Sequence, residues 1–223
     1  MKSRIAIIAH RGFSGKYTEN TMPAIRAALR LGVDFVEVDV HESKDGQLVV
    51  FHDYGLERIC GVRGRLRAKT LAELKRLAPP IPTLREVLLA CRGKARVLIE
   101  IKRADPRKVA ALIERCHMET EVIVFSLSVR RMQLLAAANP RIRRFLVIAK
   151  QWPRHLPLRI SGLGASRRLV RSRSDVTGVH RRGWKLFVWT VNRPADMQRL
   201  AAWGVDGLIT DRPDRAKSCL APR

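Results

Sequence analysis

Two histidines with charged neighbours lie near the start of the chain, in His10-Arg11-Gly12 and His52-Asp53, and Glu37-Val38-Asp39 stands between them. Imidazole titrates near neutrality, so two of them can divide general base and general acid work. A Glu-x-Asp pair in a strand projects both carboxylates to one face, because side chains alternate with period two. One strand can thus offer two oxygen ligands to a hard divalent cation. Arg11 beside the first histidine supplies a charge-assisted donor for a phosphate. Metal-assisted cleavage of a phosphate ester is the chemistry these residue types suggest.

The elements that must position them are short Val- and Ile-rich runs alternating with amphipathic stretches. Residues 5–9 read as a buried strand, and 21–31 as a helix opened by Asn20-Thr21 with Pro23 in its first turn. A second strand spans 33–40, and 48–51 is a short extended segment behind the Asp45-Gly46 turn. Helices are predicted over 70–77 and 83–91, separated by Pro79-Pro80-Ile81-Pro82. The alternation continues with strands at 96–101, 122–125 and 145–148 and helices at 106–116 and 129–138. The pattern is weakest from 151 to 173, where 160–163 is a poor sixth strand. Strands at 186–189 and 207–209 flank a helix at 195–203.

About eight buried strands with intervening helices predict a parallel sheet, and over this length they fit a closed (β/α)8 TIM-type barrel, with a small shortened insertion after the second strand. Active residues of such barrels stand at the carboxyl ends of strands. His10 ends the first, Glu37 and Asp39 lie in the second, Glu100 lies late in the third and Trp189 ends the seventh. Residues distant in sequence thus converge on one rim.

At 223 residues the chain can bury a substantial core. Residues 1–223 read as one domain, since no repeat, linker or low-complexity tract divides them. The 46% hydrophobic and 29% charged content describes a folded globular protein. Lys and Arg number 44 against 20 Asp and Glu, a formal +24 that draws anions: nucleic acid, acidic membrane surfaces or phosphorylated small molecules. The arginines are spread out, with modest clusters at 141–144, 167–173 and 181–182 and no interleaved aromatics, so specific nucleic-acid binding is not expected. Weak association with anionic surfaces stays open. Cys60, Cys91, Cys116 and Cys219 have neither disulfide nor zinc spacing. No stretch reaches transmembrane length and the N-terminal apolar run is too short for a signal peptide, so the expectation is a cytoplasmic protein with free thiols.

Several ordered motifs carry a resemblance: Ile8-Ala9-His10-Arg11-Gly12, Glu19-Asn20-Thr21, Val36-Glu37-Val38-Asp39-Val40, Lys44-Asp45-Gly46, Val50-Phe51-His52-Asp53 and Leu56-Glu57-Arg58. Ile81-Pro82-Thr83-Leu84, Ile99-Glu100-Ile101-Lys102, Val188-Trp189-Thr190-Val191-Asn192 and Ile209-Thr210-Asp211-Arg212-Pro213 continue it. In this order they resemble the glycerophosphodiester phosphodiesterase family. The resemblance implies catalytic His10 and His52, metal carboxylates Glu37, Asp39 and Glu100, and phosphate contacts from Arg11 and Lys102. It implies Mg²⁺ or Ca²⁺ as cofactor, and a small-molecule phosphodiester split into sn-glycerol 3-phosphate and an alcohol. The attacking oxygen is water or the glycerol 2-hydroxyl. The chain departs from the pattern at Thr18, where proline is common, and in the short 75–80 segment, which helps to cover the site.

Plainer roles stand beside these. Glu37 and Asp39 could pair with nearby arginines, although buried strand carboxylates are rare unless paired or ligating. Glu100 and Lys102 could pair with each other, and Glu19-Asn20-Thr21 could simply start a helix with Asn20 as its cap, or could contact the site from behind its ligands. Trp189 is either barrel core or substrate wall. His41 continues the Glu37–Asp39 face but suits softer metals, and is set aside. His117, His155 and His180 match nothing and read as surface residues. The alternatives in function are a lysophospholipase D-like phosphodiesterase on the same site and, from a different class, a basic nucleic-acid-binding protein.

Overall fold

The computed structural model describes residues 4–153 and 158–220. Its strands are β1 (Ala6–Ala9), β2 (Phe35–Glu42), β3 (Leu48–Val50), β4 (Arg96–Arg103), β5 (Val122–Ser126), β6 (Arg143–Ile148), β7 (Gly162–Ser166), β8 (Lys185–Trp189) and β9 (Gly207–Thr210). Eight of them pair in parallel in the order β1-β2-β4-β5-β6-β7-β8-β9, and β9 returns to β1 and closes the ring. β3 lies outside the ring, antiparallel to β2. The expected eight-stranded barrel is the observed fold.

Strand β2 shows how the sequence builds it. Val36, Val38 and Val40 face outward into the apolar layer beneath the helices, which also holds Ile25, Val87 and Leu88. The alternate residues Phe35, Glu37, Asp39 and His41 take the opposite face. β4 repeats the arrangement, with Val97, Ile99 and Ile101 in the outer layer and Leu98, Glu100 and Lys102 on the other face. An apolar plug fills the barrel below the carboxylates: Ile8, Phe35, Leu98, Ile123, Phe145, Phe187 and Ile209. The Phe187 ring meets Phe145 at 4.8 Å and Phe35 at 5.6 Å between centroids. Gly162 and Gly207 make room for it, since a Cβ at either would stand 2.5–2.7 Å from a phenylalanine ring atom.

Helices cover the outside where their caps predict. Thr21 accepts from the amide of Ala24 and opens Met22–Arg30, with Pro23 in the first turn. The cap is Thr21, not Asn20, whose side chain is committed elsewhere. Thr70 and Thr83 form capping boxes with Glu73 and Glu86 and start Leu71–Lys75 and Leu84–Cys91. The sixth barrel strand is Gly162–Ser166 rather than 160–163. Its Gly-Leu-Gly-Ala-Ser sequence offers almost no β-branched signal, because its glycines face bulky neighbours. Three helices lay outside the sequence reading: the short Glu57–Cys60, and Arg173–His180 and Pro213–Leu220.

The insertion after β2 contains β3, short helices at Glu57–Cys60 and Leu71–Lys75, and a single 3₁₀ turn. It has a small core of its own: Val49, Phe51, Leu56, Leu66, Leu74 and Ile81. A backbone bond from Phe51 N to Asp39 O (3.0 Å) ties it to the ring, and one from Val50 N to Pro82 O (2.8 Å) joins its two ends. No helix among the described residues is long and apolar enough to cross a membrane.

Candidate active site

The carboxyl ends of the strands gather the residues singled out by sequence. Register places Asp39 beside Glu100 across β2 and β4, and ligand oxygens of Glu37, Asp39 and Glu100 all lie within 4.8 Å of one another. Glu37 and Asp39 are each only 1% exposed. Burial, then the charge of Asp39, pushes the Glu37 carboxyl up to about 8. The same two causes raise Glu100. Three carboxylates this close resist sharing negative charge. The Oδ1 of Asp39 is buried without a hydrogen-bond partner. An all-oxygen set with an unsatisfied buried acceptor fits a hard divalent cation.

Cations of the protein surround this cluster. Lys102 Nζ lies 3.0 Å from Glu100 Oε1 and 3.5 Å from Asp39 Oδ1. Burial disfavours the ammonium, but Asp39 and Glu100 more than offset this and raise its pKa. The register of β2 and β4 shifts between Val40 and His41, so that Lys102 is an additional residue on β4. Arg11 donates its backbone N–H to Glu37 Oε2 at 2.8 Å, and its guanidinium reaches Glu19 at 2.9 Å and Asp39 at 3.0 Å. It adopts φ 54°, unusual for a residue with a side chain. Gly12 follows at φ 78°, where a Cβ would stand 2.7 Å from the backbone of Ala24. Asn20, at φ 56°, holds Asp39 from both sides: its Nδ2 donates to Oδ2 at 3.0 Å and its Oδ1 accepts from the Asp39 amide at 3.3 Å.

The two histidines are each oriented through Nδ1. His10 bonds Asp211 Oδ1 at 2.6 Å, and Asp211 also accepts from Ser14 (3.0 Å) and Asn192 (2.6 Å). Burial disfavours the His10 imidazolium, but Asp211 and the field of Glu37 prevail and raise its pKa. Burial likewise opposes the Asp211 charge, yet His10, Asn192 and Ser14 hold its pKa down at about 2. His52 bonds Asp53 at 2.6 Å. Arg58 joins Asp53 (2.5 Å) to Glu19 (2.6 Å), and so links the insertion to Arg11. His41 does not enter the carboxylate cluster; its Nε2 contacts the carbonyl of His52 at 3.0 Å.

His10, Arg11, Glu37, His52, Glu100, Lys102 and Trp189 line one pocket of about 270 Å³, walled also by Phe125 and Val147. Asp39 sits behind them. Trp189 forms part of the pocket wall, fixed by its indole N–H donating to Gly164 O at 2.8 Å. Glu100 and Lys102 do form an ion pair, but within the cluster. His180 is a surface residue paired with Asp206, and His117 is exposed; His155 lies outside the described residues. Sequence reasoning did not assign Asp211, Asn192 or Arg58. Asp211 directly follows the last strand, so the strand-end rule could have found it. No spacing rule points to Arg58.

The sequence profile of the Glycerophosphoryl diester phosphodiesterase family matches residues 10–215. The chain is 33% identical over 231 residues to a glycerophosphodiester phosphodiesterase of Caldanaerobacter subterraneus subsp. tengcongensis, covering 93% of this chain and 94% of the relative. Among solved structures, the glycerophosphodiester phosphodiesterase from Agrobacterium tumefaciens superposes with TM-score 0.86 at 30% identity, over 96% of this chain and 99% of that one. A phosphodiesterase of Oleispira antarctica, in complex with the product sn-glycerol-3-phosphate, superposes with TM-score 0.87 at 25% identity over 97% of both chains.

Proposed function

The chain belongs to the glycerophosphoryl diester phosphodiesterase family, and from that premise we propose that it hydrolyses glycerophosphodiesters to sn-glycerol 3-phosphate and an alcohol, as one barrel domain. The observation that carries this reading is the single pocket into which both carboxylate-oriented histidines, the acidic cluster, Arg11 and Lys102 converge. Glu37, Asp39 and Glu100 would hold Mg²⁺ or Ca²⁺. When bound there, the cation supplies positive charge for phosphoryl oxygens and for charge developing in the transition state.

The chain's own residues do the rest. Arg11 and Lys102 present fixed cations to the phosphoryl group, and their placement is prepaid by the ion pairs that hold them. One imidazole takes the proton of the attacking oxygen, and the other gives a proton to the alkoxide as the bond from phosphorus to the alcohol breaks. Asp211 and Asp53 hold the rings so that Nε2 is left to act, the role a carboxylate plays behind a catalytic histidine. Phe125, Val147 and Trp189 keep one wall of the pocket dry, which strengthens each of these interactions. The four thiols stay free, in keeping with a cytoplasmic setting.

Release of sn-glycerol 3-phosphate from glycerophosphodiesters, with Mg²⁺, Ca²⁺ or EDTA, tests the proposal. Release is expected with either ion, to stop in EDTA, and to fall to background in Glu37→Ala. Undiminished release in EDTA would remove the metal from the reading, and none with any ion would remove the activity.

A further inference from the structure

The pocket does not end at the histidines. A groove of about 380 Å³ continues from it, sharing His52, Glu100, Lys102 and Leu127 and running between Tyr54 of the insertion and Arg131 of the helix Val129–Ala138. The pocket itself is a cup set over the barrel's apolar plug. The groove is flanked by Tyr54 and Leu127, which at 59% and 60% are the most exposed large apolar side chains among the described residues. The glycerol phosphate half is common to all glycerophosphodiesters and suits the cup. The alcohol half varies and suits the open groove.

The free charge along the groove has one sign. Arg131 lines the groove and has no ion pair among the described residues; neither has Arg103, which lines a neighbouring cavity that shares Tyr54 and holds its guanidinium 5.7 Å from the centre of that ring. The acids there are already engaged: Asp53 with His52 and Arg58, and Glu100 with Lys102 and the carboxylate cluster. An aromatic face can receive a quaternary ammonium, but on Tyr54 a guanidinium already covers a face. A cationic alcohol such as choline therefore meets like charge and no free carboxylate.

Resting on the hydrolase reading above, we propose that this groove selects a leaving alcohol that carries its own anionic group, such as a second phosphoryl group, with Arg131 as its contact and the charge of Arg103 adding to it from the neighbouring cavity. Arg131 is thereby a specificity residue, separate from the groups that act on the scissile bond, and Arg103 acts at longer range.

The test compares kcat/KM for three diesters with the same sn-glycerol 3-phosphoryl half: glycerophosphocholine (cationic alcohol), glycerophosphoglycerol (neutral) and 1,3-bis(sn-glycero-3-phospho)glycerol, whose leaving alcohol bears a phosphodiester anion. The anionic diester should exceed the neutral one by about tenfold, the scale of one charge-assisted hydrogen bond. The cationic diester should fall below both. Arg131→Gln should bring the anionic-to-neutral ratio near unity, mainly through KM; Arg103→Gln should lower it less, and added salt should erode it in the parent. Equal rates for all three, a preference for the choline diester or for lysophosphatidylcholine, or a ratio unchanged in Arg131→Gln would each overturn the inference and leave the hydrolase reading standing. Failure to cleave any diester would overturn the hydrolase reading, and the inference with it.

Discussion

His10 and His52 bring the same imidazole to one pocket on supports of different kinds. His10 follows β1, and its partner Asp211 follows β9, the strand paired with β1 in the closed ring. Ser14 and Asn192 hold that aspartate from two further sides. His52 stands outside the ring, on the chain that leaves β3. Its Asp53 is held by Arg58, a half-exposed side chain that reaches back to Glu19. One histidine is placed by the hydrogen-bonded frame that is the fold itself. The other is placed by side-chain links on a satellite with a six-residue core. Positioning by the frame is inseparable from folding, whereas positioning by the satellite can be loosened while the barrel stays intact.

Removing either imidazole should have the largest effect. His10→Ala and His52→Ala should each lower kcat by about 10²–10⁴-fold with little change in Tm. Full retention of rate in either variant would end the acid–base pairing. The supports should then separate. Asp211→Asn leaves His10 with the wrong partner and should lower kcat by about 10²-fold or more. Arg58→Gln should lower it by about tenfold or less, since exposed ion pairs contribute about 0–1 kcal/mol. A reversed order in steady-state kinetics would break the contrast between frame and satellite.

Leu66→Ala empties the middle of the insertion's core, at a cost of about 2–5 kcal/mol, and should affect turnover less than stability. Hydrogen exchange should accelerate across residues 51–82 while β5 to β9 keep their protection; uniform acceleration would show that the two regions unfold as one. The smallest effect is a pH term. The folded Asp211 pKa near 2 lies below its ordinary 3.8. Its stabilisation is therefore complete above about 3.8 and is lost as pH falls through about 2. Asp211→Asn should cost roughly 1–2 kcal/mol at pH 6, a gap that denaturant titrations should find closing toward pH 2. The same variant removes the larger of the two influences that raise the His10 pKa, so the limb of the pH–rate profile that belongs to His10 should move to lower pH.

The barrel was legible because Val and Ile alternate along β2 and β4 with residues that do chemistry, and a period of two assigns each to a face. The carboxylate cluster was legible for the same reason. β7 was displaced in the reading because its inward positions are glycines, chosen to fit Phe145 and Phe125 of other strands, a demand that does not show within its own five residues. For Asn20 the sequence left a helix cap and a contact with the site both open, because caps are local while its bonds to Asp39 are tertiary. Arg58 was seen in a motif but given no role, because both its partners, Glu19 and Asp53, come near it only once the insertion has folded over the rim.

The phenylalanine plug has a consequence for traffic. Phe35, Phe145 and Phe187, with the aliphatic residues around them, fill the barrel axis with side chains that neither donate nor accept hydrogen bonds. In the proposed reaction, protons that His10 and His52 exchange with solvent would therefore pass through the mouth by which the diester arrives and the alcohol departs. Until the alcohol had gone, the route that resets the two imidazoles would be obstructed. Restoration of the histidines would in this way be coupled to emptying of the groove, and a slowly departing alcohol would delay both.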